Sequence, residues 1–259
     1  MALGTVLLTG AAGGIGTHLR APLREQATML RITDIAPLEA EAPNEVAIVA
    51  DLADEEAIRA AAAGADAVVH LGGIPSERAF AELLGPNVVG TRNVFEAARR
   101  GGARRVVYAS SNHVTGMYAS GHPLDGTDPV RPDSLYGVSK AFGEALGRMY
   151  VDKFGLEVVC LRIGSFQARP RMARELATWL SPADMTRLTL AALTHPDVGF
   201  EIVYGVSANR RSWWSPEPGL RIGYEPQDDA EVFAAEFDGD PGPLQGGEFA
   251  DPDLHPWSA

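Results

Sequence analysis

Short apolar runs rich in β-branched residues alternate along the first two thirds of the chain with longer stretches of helical spacing. Thr5-Val6-Leu7-Leu8-Thr9 is the first run and reads as a buried strand. Met29 to Thr33, Glu45 to Ala50, Asp66 to Leu71, Arg105 to Ala109 and Glu157 to Ile163 read the same way. Helical stretches fall between them: one ending about Glu25, one beginning near Asp54, then Phe80 to Arg100 and Ser134 to Phe154. Six strands alternating with helices predict an α/β chain on a doubly wound parallel sheet. Beyond Ser165 the pattern turns irregular, with helices expected over Glu175 to Leu180, Pro182 to Leu193 and Asp229 to Phe237, and a strand near Phe200 to Tyr204. The tail from Asp238 to Ala259 is rich in Gly and Pro and is expected to wrap the surface or a neighbouring subunit. Residues 1–165 are thus expected to form a nucleotide-binding domain carrying the chemistry. Residues 166–259 would form a small substrate-binding and oligomerisation region packed on it.

Directly after the first strand stand Gly10, Gly13, Gly14, Ile15 and Gly16, opening a helix. A strand, a glycine turn and a helix in that order form a phosphate cradle, because glycine lets the backbone approach a pyrophosphate and helix N-terminal amides face its charge. The glycines are spaced three apart, and a tight turn alone would also explain them. Asp34 ends the second strand, where a carboxylate accepts both hydroxyls of an adenosine ribose and repels a 2′-phosphate. That favours NAD over NADP and makes the sheet Rossmann-type. Asp51, followed by Leu52, either contacts the adenine or caps the next helix. Leu71, Gly72 and Gly73 end the fourth strand where backbone passes close to a ligand, and Pro75 and Ser76 follow at the mouth. Asn87 is either a satisfied core amide or part of a proton relay. Ser110, Ser111, Asn112 and His113 lie at the C-terminal end of the fifth strand, the end at which open α/β sheets bind ligands.

Tyr136 and Lys140 are four apart and so share one face of a helix. A tyrosine ionises near ~10, so acting as a base near neutrality needs a drop of roughly 3 units, about 4 kcal/mol. A positive charge at ~4 Å with an effective dielectric near 20 contributes about that much. Lysine is scarce, only Lys140 and Lys153 against 20 arginines. The bland alternative is a core aromatic with a solvated lysine.

The net charge of −12 argues against nucleic acid or an anionic membrane as partner, and means that an anionic substrate must be held by locally placed arginines. Arg169, Arg171 and Arg174 crowd together just before Glu175, where by spacing alone Arg174 is as readily a surface charge. The single cysteine, Cys160, excludes an intrachain disulfide and a cysteine metal cluster, reads as core packing and fits a reducing cytoplasm. No metal site is expected. No apolar run reaches the ~18 residues of a membrane span, and no signal peptide is recognisable. Trp213-Trp214 is expected to pack a lobe or an interface.

Thr9-Gly10-x-x-Gly13-x-x-Gly16, Ser111 and Tyr136-x-x-x-Lys140, in that order and spacing, resemble the extended short-chain dehydrogenase/reductase superfamily. Within it the chain is similar to the NAD-dependent uronate dehydrogenases. The resembling segments run from His70-Leu71-Gly72-Gly73 through Ala109 to His113, Leu135 to Lys140 and Arg162 to Ser165, to Ser207-Ala208-Asn209, Trp213-Trp214 and Gln245-Gly246-Gly247. The resemblance implies oxidation of cyclic D-glucuronate or D-galacturonate at C1 to an aldaric acid lactone with release of NADH, and a homo-oligomer. It implies Tyr136 as base, Lys140 as the group that depresses its pKa and holds the nicotinamide ribose, and Ser111 on the reacting oxygen. Ile163, with Asn87, falls on the cofactor side. Asn112, His113 and Ser165 would contact the sugar, and Arg174 would grip its carboxylate. The family often has serine directly after Gly-Gly-Ile; here Pro75 stands there, and Ser76 becomes the candidate for that contact. Two rivals share the scaffold. One is a nucleotide-sugar epimerase or dehydratase, weighed against by the roughly 95 residues that follow Ser165. The other is a non-catalytic NAD sensor, which would need the cradle but not the Ser, Tyr and Lys.

Overall fold

In the computed structural model, which describes residues 3–254, strand β1 (Leu3–Thr9) leads into helix α1 (Gly14–Gln26), then β2 (Ala27–Asp34) and β3 (Glu45–Val49). Helix α2 (Glu55–Ala62), β4 (Ala67–His70), α3 (Phe80–Leu83), α4 (Gly90–Gly101) and β5 (Arg105–Ser111) follow. After a loop come α5 (Leu135–Phe154), β6 (Glu157–Ile163), the short β7 (Ser165–Phe166), α6 (Glu175–Thr178), β8 (Trp179–Leu180), α7 (Pro182–Thr194) and β9 (Phe200–Gly205). The principal sheet has seven strands in the order β3-β2-β1-β4-β5-β6-β9, every pair parallel. The doubly wound parallel sheet expected from the alternation is therefore present. The strand from the irregular C-terminal part joins its edge, pairing Val158 with Phe200 through Ile163 with Gly205.

The chain reverses its direction across the sheet between β1 and β4, so their C-terminal ends open a crevice. Parallel strands carry helices on both faces and are apolar on both, as Val6, Leu7 and Leu8, each 0% exposed, illustrate. One core lies under α1 and α7 (Leu8, Leu19, Leu30, Val69, Leu161, Leu188) and the other under α2, α4 and α5 (Leu7, Ile58, Val68, Phe95, Val106, Tyr150). Cys160 is buried in the second, as its apolar run suggested.

The stretch from Phe80 to Arg100 is not one regular helix. Between α3 and α4 the turns widen into a π-helical segment, Leu84–Val89. It contains Pro86, which lacks the amide that a regular turn would use. The expected helix over Asp229 to Phe237 is 3₁₀ (Ala230–Glu236). The one over Glu175 to Leu180 stops at Thr178 and becomes β8, which pairs with β7. Trp214 stacks on Tyr204 with ring centroids 4.7 Å apart and packs with Leu124 and Val206, as the packing reading of the tryptophan pair expected. The tail, as far as the described residues run, folds back on its own chain. Gln245 donates its amide to the Tyr118 carbonyl at 2.9 Å, and Gly246 donates to Gly116 at 2.9 Å.

Candidate active site

A cleft of about 880 Å³ opens at the C-terminal ends of the central strands. Gly10, Gly13, Gly14, Ile15, Gly16, Asp34, Asp51, Leu52, Leu71, Gly72 and Gly73 line one part of it, and Ser111, Asn112, His113, Tyr136, Lys140 and Ile163 the rest. The glycine turn is tight for a physical reason. Gly10 has φ +71°, and a Cβ on Gly16 would lie 2.2 Å from the Gly10 carbonyl oxygen. Gly14, by contrast, would meet nothing within 4 Å, so its missing side chain leaves room in front of the α1 N-terminus. That is the opening a pyrophosphate requires. Asp34 accepts from the Ala12 amide at 3.0 Å and the Ala36 amide at 3.1 Å, which fixes its carboxylate at the cleft rim. The residues present thus fit a dinucleotide. Of the two roles open to Asp51, the helix cap belongs to Asp54, which accepts from Glu56 and Ala57; Asp51 instead turns the chain by accepting from Ala53 at 2.9 Å.

Helix α5 reaches the end of β5 because small residues let it. A Cβ on Gly137 would lie 2.4 Å from the His113 carbonyl oxygen, and one on Gly143 would lie 2.3 Å from the Tyr108 ring. One turn beyond Lys140, Glu144 is buried and paired with Arg162 of β6 at 2.9 Å, and it accepts from Ser110 at 2.6 Å. Arg162 also donates to Tyr204 of β9 at 3.1 Å. A buried ion pair tolerates few alternative geometries, since breaking it strands a charge. This network therefore holds α5 in one register against three strands.

Tyr136 and Lys140 are 7% and 5% exposed and face the cleft together with Ser111. The Ser111 oxygen accepts from the His113 amide at 3.2 Å, which fixes the hydroxyl on the Tyr136 side of the cleft. The expected depression of the tyrosine pKa by Lys140 is not what this geometry gives. Lys140 donates from Nζ to the Ala109 carbonyl at 2.8 Å and stands 5.7 Å from the tyrosine ring centroid. Burial pushes the phenol up to about 12, against the bond from Ser111 and with Asp133 adding to the rise; burial likewise pushes the ammonium down to about 8. At that separation, with its Nζ turned to the Ala109 carbonyl, Lys140 does not offset the desolvation of the phenol.

Four expected site residues do not line the cleft. Ser76 lies beyond Ile74 and Pro75, which do. Asn87 is fully hydrogen-bonded: it accepts from Ile74 at 2.8 Å, donates to Ile74 at 3.0 Å and donates to Ser139 at 3.0 Å, bracing the turn after Gly73. Ser165 is hydrogen-bonded to Thr178 at 2.9 Å, while its neighbours Gly164 and Phe166 reach the cleft. Arg174 stands one layer behind Asn112. With the Asn112 amide turned so that its oxygen faces the guanidinium, Arg174 donates to it at 2.9 Å and Asn112 donates to the Ile163 carbonyl at 3.0 Å. Arg174 also donates to the Gln245 carbonyl at 2.7 Å. Among the described residues, no carboxylate lies within ion-pair distance of it.

Sequence reading passed over three residues of this site. Glu77 is buried beneath the N-terminus of α5, Asp133 is bonded to His113, and Phe249 of the tail stacks on His113 with centroids 4.0 Å apart. Only the last had a signal, since it follows the Gln245-Gly246-Gly247 segment.

Similar proteins match the chain over nearly its whole length. The uronate dehydrogenase of Pseudomonas putida is 44% identical over 254 residues, which is 95% of each chain. The crystal structure of a uronate dehydrogenase variant from Agrobacterium tumefaciens complexed with NAD superposes with a TM-score of 0.93 at 42% identity, covering 98% of this chain and 99% of that one. A glucuronic acid dehydrogenase from Chromohalobacter salexigens gives 0.95 at 41% identity, covering 99% and 100%. The model of the NAD dependent epimerase/dehydratase family matches residues 6–187, and with the parallel sheet, the glycine cradle and the Ser111, Tyr136, Lys140 cluster on its crevice the chain belongs to that family.

Proposed function

We propose that this protein is an NAD-dependent uronate dehydrogenase. It oxidises the cyclic form of a free hexuronic acid, D-glucuronate or D-galacturonate, at C1 to the aldaric acid lactone. The observation that carries the reading is Arg174: a partly buried cation without a carboxylate partner among the described residues, one side chain behind the cleft that holds Tyr136. Its planar fork suits a bidentate grip on a carboxylate, which it would make by turning from the Gln245 carbonyl and Asn112 toward the cleft. A sugar acid would present its carboxylate there and its anomeric hydroxyl to the phenol.

NAD, when bound in the glycine cradle, would supply the hydride acceptor. The phenolate form of Tyr136, the minority form near neutral pH because burial raises its pKa, takes the proton of the anomeric hydroxyl, and Ser111 hydrogen-bonds the same oxygen and sets its distance. Lys140 keeps its positive charge in the buried pocket and is the donor available to the nicotinamide ribose. Asp34 receives the adenosine ribose hydroxyls, and the amides of α1 receive the pyrophosphate. Asn112 and His113 contact the sugar, with Ser165 beside them. Residues 166–259 supply the substrate side. A homo-oligomer belongs to the same reading, supported by the exposed apolar residues Phe80, Leu84, Val89, Val138 and Phe142. So does a cytoplasmic setting, supported by the free buried cysteine. No helix among the described residues is long and apolar enough to cross a membrane.

The test is NAD reduction with glucuronate and galacturonate against glucose, galactose and nucleotide sugars. The acids should turn over, with the neutral sugars slower by at least about 100-fold, because a site built around a polar group rejects analogues that lack it. Equal rates for acids and neutral sugars would overturn the role of Arg174, and turnover of nucleotide sugars alone would favour the epimerase or dehydratase reading.

A further inference from the structure

Asp133 is the residue before the N-cap of α5, and its side chain is fully buried. Oδ2 accepts from His113 Nδ1 at 2.7 Å, and Oδ1 accepts from Ser134 Oγ at 2.6 Å. The carboxylate fills a socket closed by two backbones from distant parts of the chain. A Cβ on Gly116 would lie 1.7 Å from Oδ2, and one on Gly246 would lie 2.0 Å from it. His113 is held on its other sides as well. Its ring stacks on Phe249 with centroids 4.0 Å apart and meets the Tyr136 ring edge-on at 5.8 Å. His113 lines the cleft, and among the described residues no group hydrogen-bonds its Nε2.

A carboxylate only accepts hydrogen bonds, so the proton of the His113–Asp133 bond belongs to Nδ1. In the neutral ring that leaves Nε2 as a lone pair. We propose that Asp133 is a positioning residue which, by holding the His113 proton on Nδ1, presents Nε2 to the cleft as the acceptor for a hydroxyl of the bound sugar acid. The inference rests on the uronate reading above. The division of labour is chemical. Arg174 offers donors, which suit the carboxylate, whereas ring hydroxyls also need an acceptor. Fixing the tautomer ensures that they meet one.

The test uses the full chain with NAD bound and compares wild type, Asp133→Ala, Asp133→Asn, His113→Ala and the double variant His113→Ala with Asp133→Ala. Long-range 1H–15N correlation of the imidazole should show the Nδ1–H form of His113 in the wild type and its loss in Asp133→Ala. The KM for uronate should rise at least roughly tenfold in Asp133→Ala, with kcat falling less and NAD affinity changing by less than about twofold. In the His113→Ala background the same change should alter KM by less than about twofold, the non-additivity expected of residues acting through one another. Asp133→Asn keeps the volume and one hydrogen-bonding oxygen, should fall between, and carries the same cycle if the alanine variant does not fold. An Nε2–H ring in the wild type, an unchanged KM, or fully additive losses would each overturn the proposal. A wild-type protein that oxidises no uronate would instead overturn the functional reading, while the tautomer measurement would still decide the role of Asp133.

Discussion

Glu77 holds Tyr136 by its backbone: Oε2 accepts from the Tyr136 amide at 2.7 Å and Oε1 from the Leu135 amide at 3.0 Å. Ser134 accepts from Gly137 at 3.0 Å. The first free amides of α5 are thereby satisfied by two side chains, one of them anionic where the helix dipole is positive. Because Glu77 follows the loop that carries Ile74 and Pro75 into the cleft, it ties that wall to the helix bearing the proposed base.

Glu77→Gln should therefore cost both stability and turnover. The amide group must turn a donor toward one backbone N–H, so about 1–3 kcal/mol is lost and thermal unfolding moves down by several degrees. Steady-state kinetics should show kcat for uronate falling more than the affinity for NAD. An unchanged melting temperature and unchanged kcat would show that the contact does not position Tyr136.

Tyr136→Phe removes only the hydroxyl. NAD affinity should stay within about twofold, while uronate oxidation falls by about 100- to 10,000-fold, the range for loss of a positioned base. Titration with NAD beside the turnover assay separates the two effects. Turnover at the wild-type rate would remove Tyr136 from the mechanism.

Two glycines of the cradle should respond differently. Gly16→Ala drives a methyl to 2.2 Å from the Gly10 carbonyl oxygen, so it should lower the melting temperature and abolish NAD binding. Gly14→Ala meets nothing in the free protein, so it should keep the melting temperature and weaken NAD alone. Calorimetric titration with NAD next to thermal unfolding reads both.

Asp34→Ala should raise the dissociation constant for NAD roughly tenfold, since hydrogen bonds to a charged group contribute about 1.5–3 kcal/mol. It should also narrow the preference over NADP, because the repulsion of a 2′-phosphate goes with the carboxylate. The ratio of kcat/KM for the two cofactors is the measurement.

His70 predicts a pH effect. It is fully buried, bonded to Thr9 at 2.7 Å, and pushed down to about 3 by burial, with the charge of Lys140 adding to the shift. Between pH 6.5 and 3 the unfolded chain holds a proton that the folded chain does not, so stability falls as the pH falls through that window. The contribution has a slope of up to about 1.4 kcal/mol per pH unit. Denaturant unfolding at pH 7 and at pH 4.5 should show a smaller acid loss in His70→Asn than in wild type. Equal losses would sink the assignment.

By itself the sequence determined the strand and helix alternation, hence the parallel sheet with ligands expected at the C-terminal ends of its strands; the strand order that opens the crevice between β1 and β4 came from the structure. The sequence also determined the glycine cradle, Asp34, and the Ser111, Tyr136, Lys140 set, because each of these is written in local spacing. Strand periodicity, glycine placement and an i, i+4 pair need no knowledge of distant residues. Only the tertiary structure decided the rest. It showed that Asn87 braces a turn, that Ser76 falls outside the cleft, and that Arg174 approaches through Asn112. It brought Asp133 and Phe249 onto His113 from positions 20 and 136 residues further along. It also reversed the expected tyrosine shift, since desolvation depends on how completely the surrounding helices and strands exclude water, a property that no pair spacing carries.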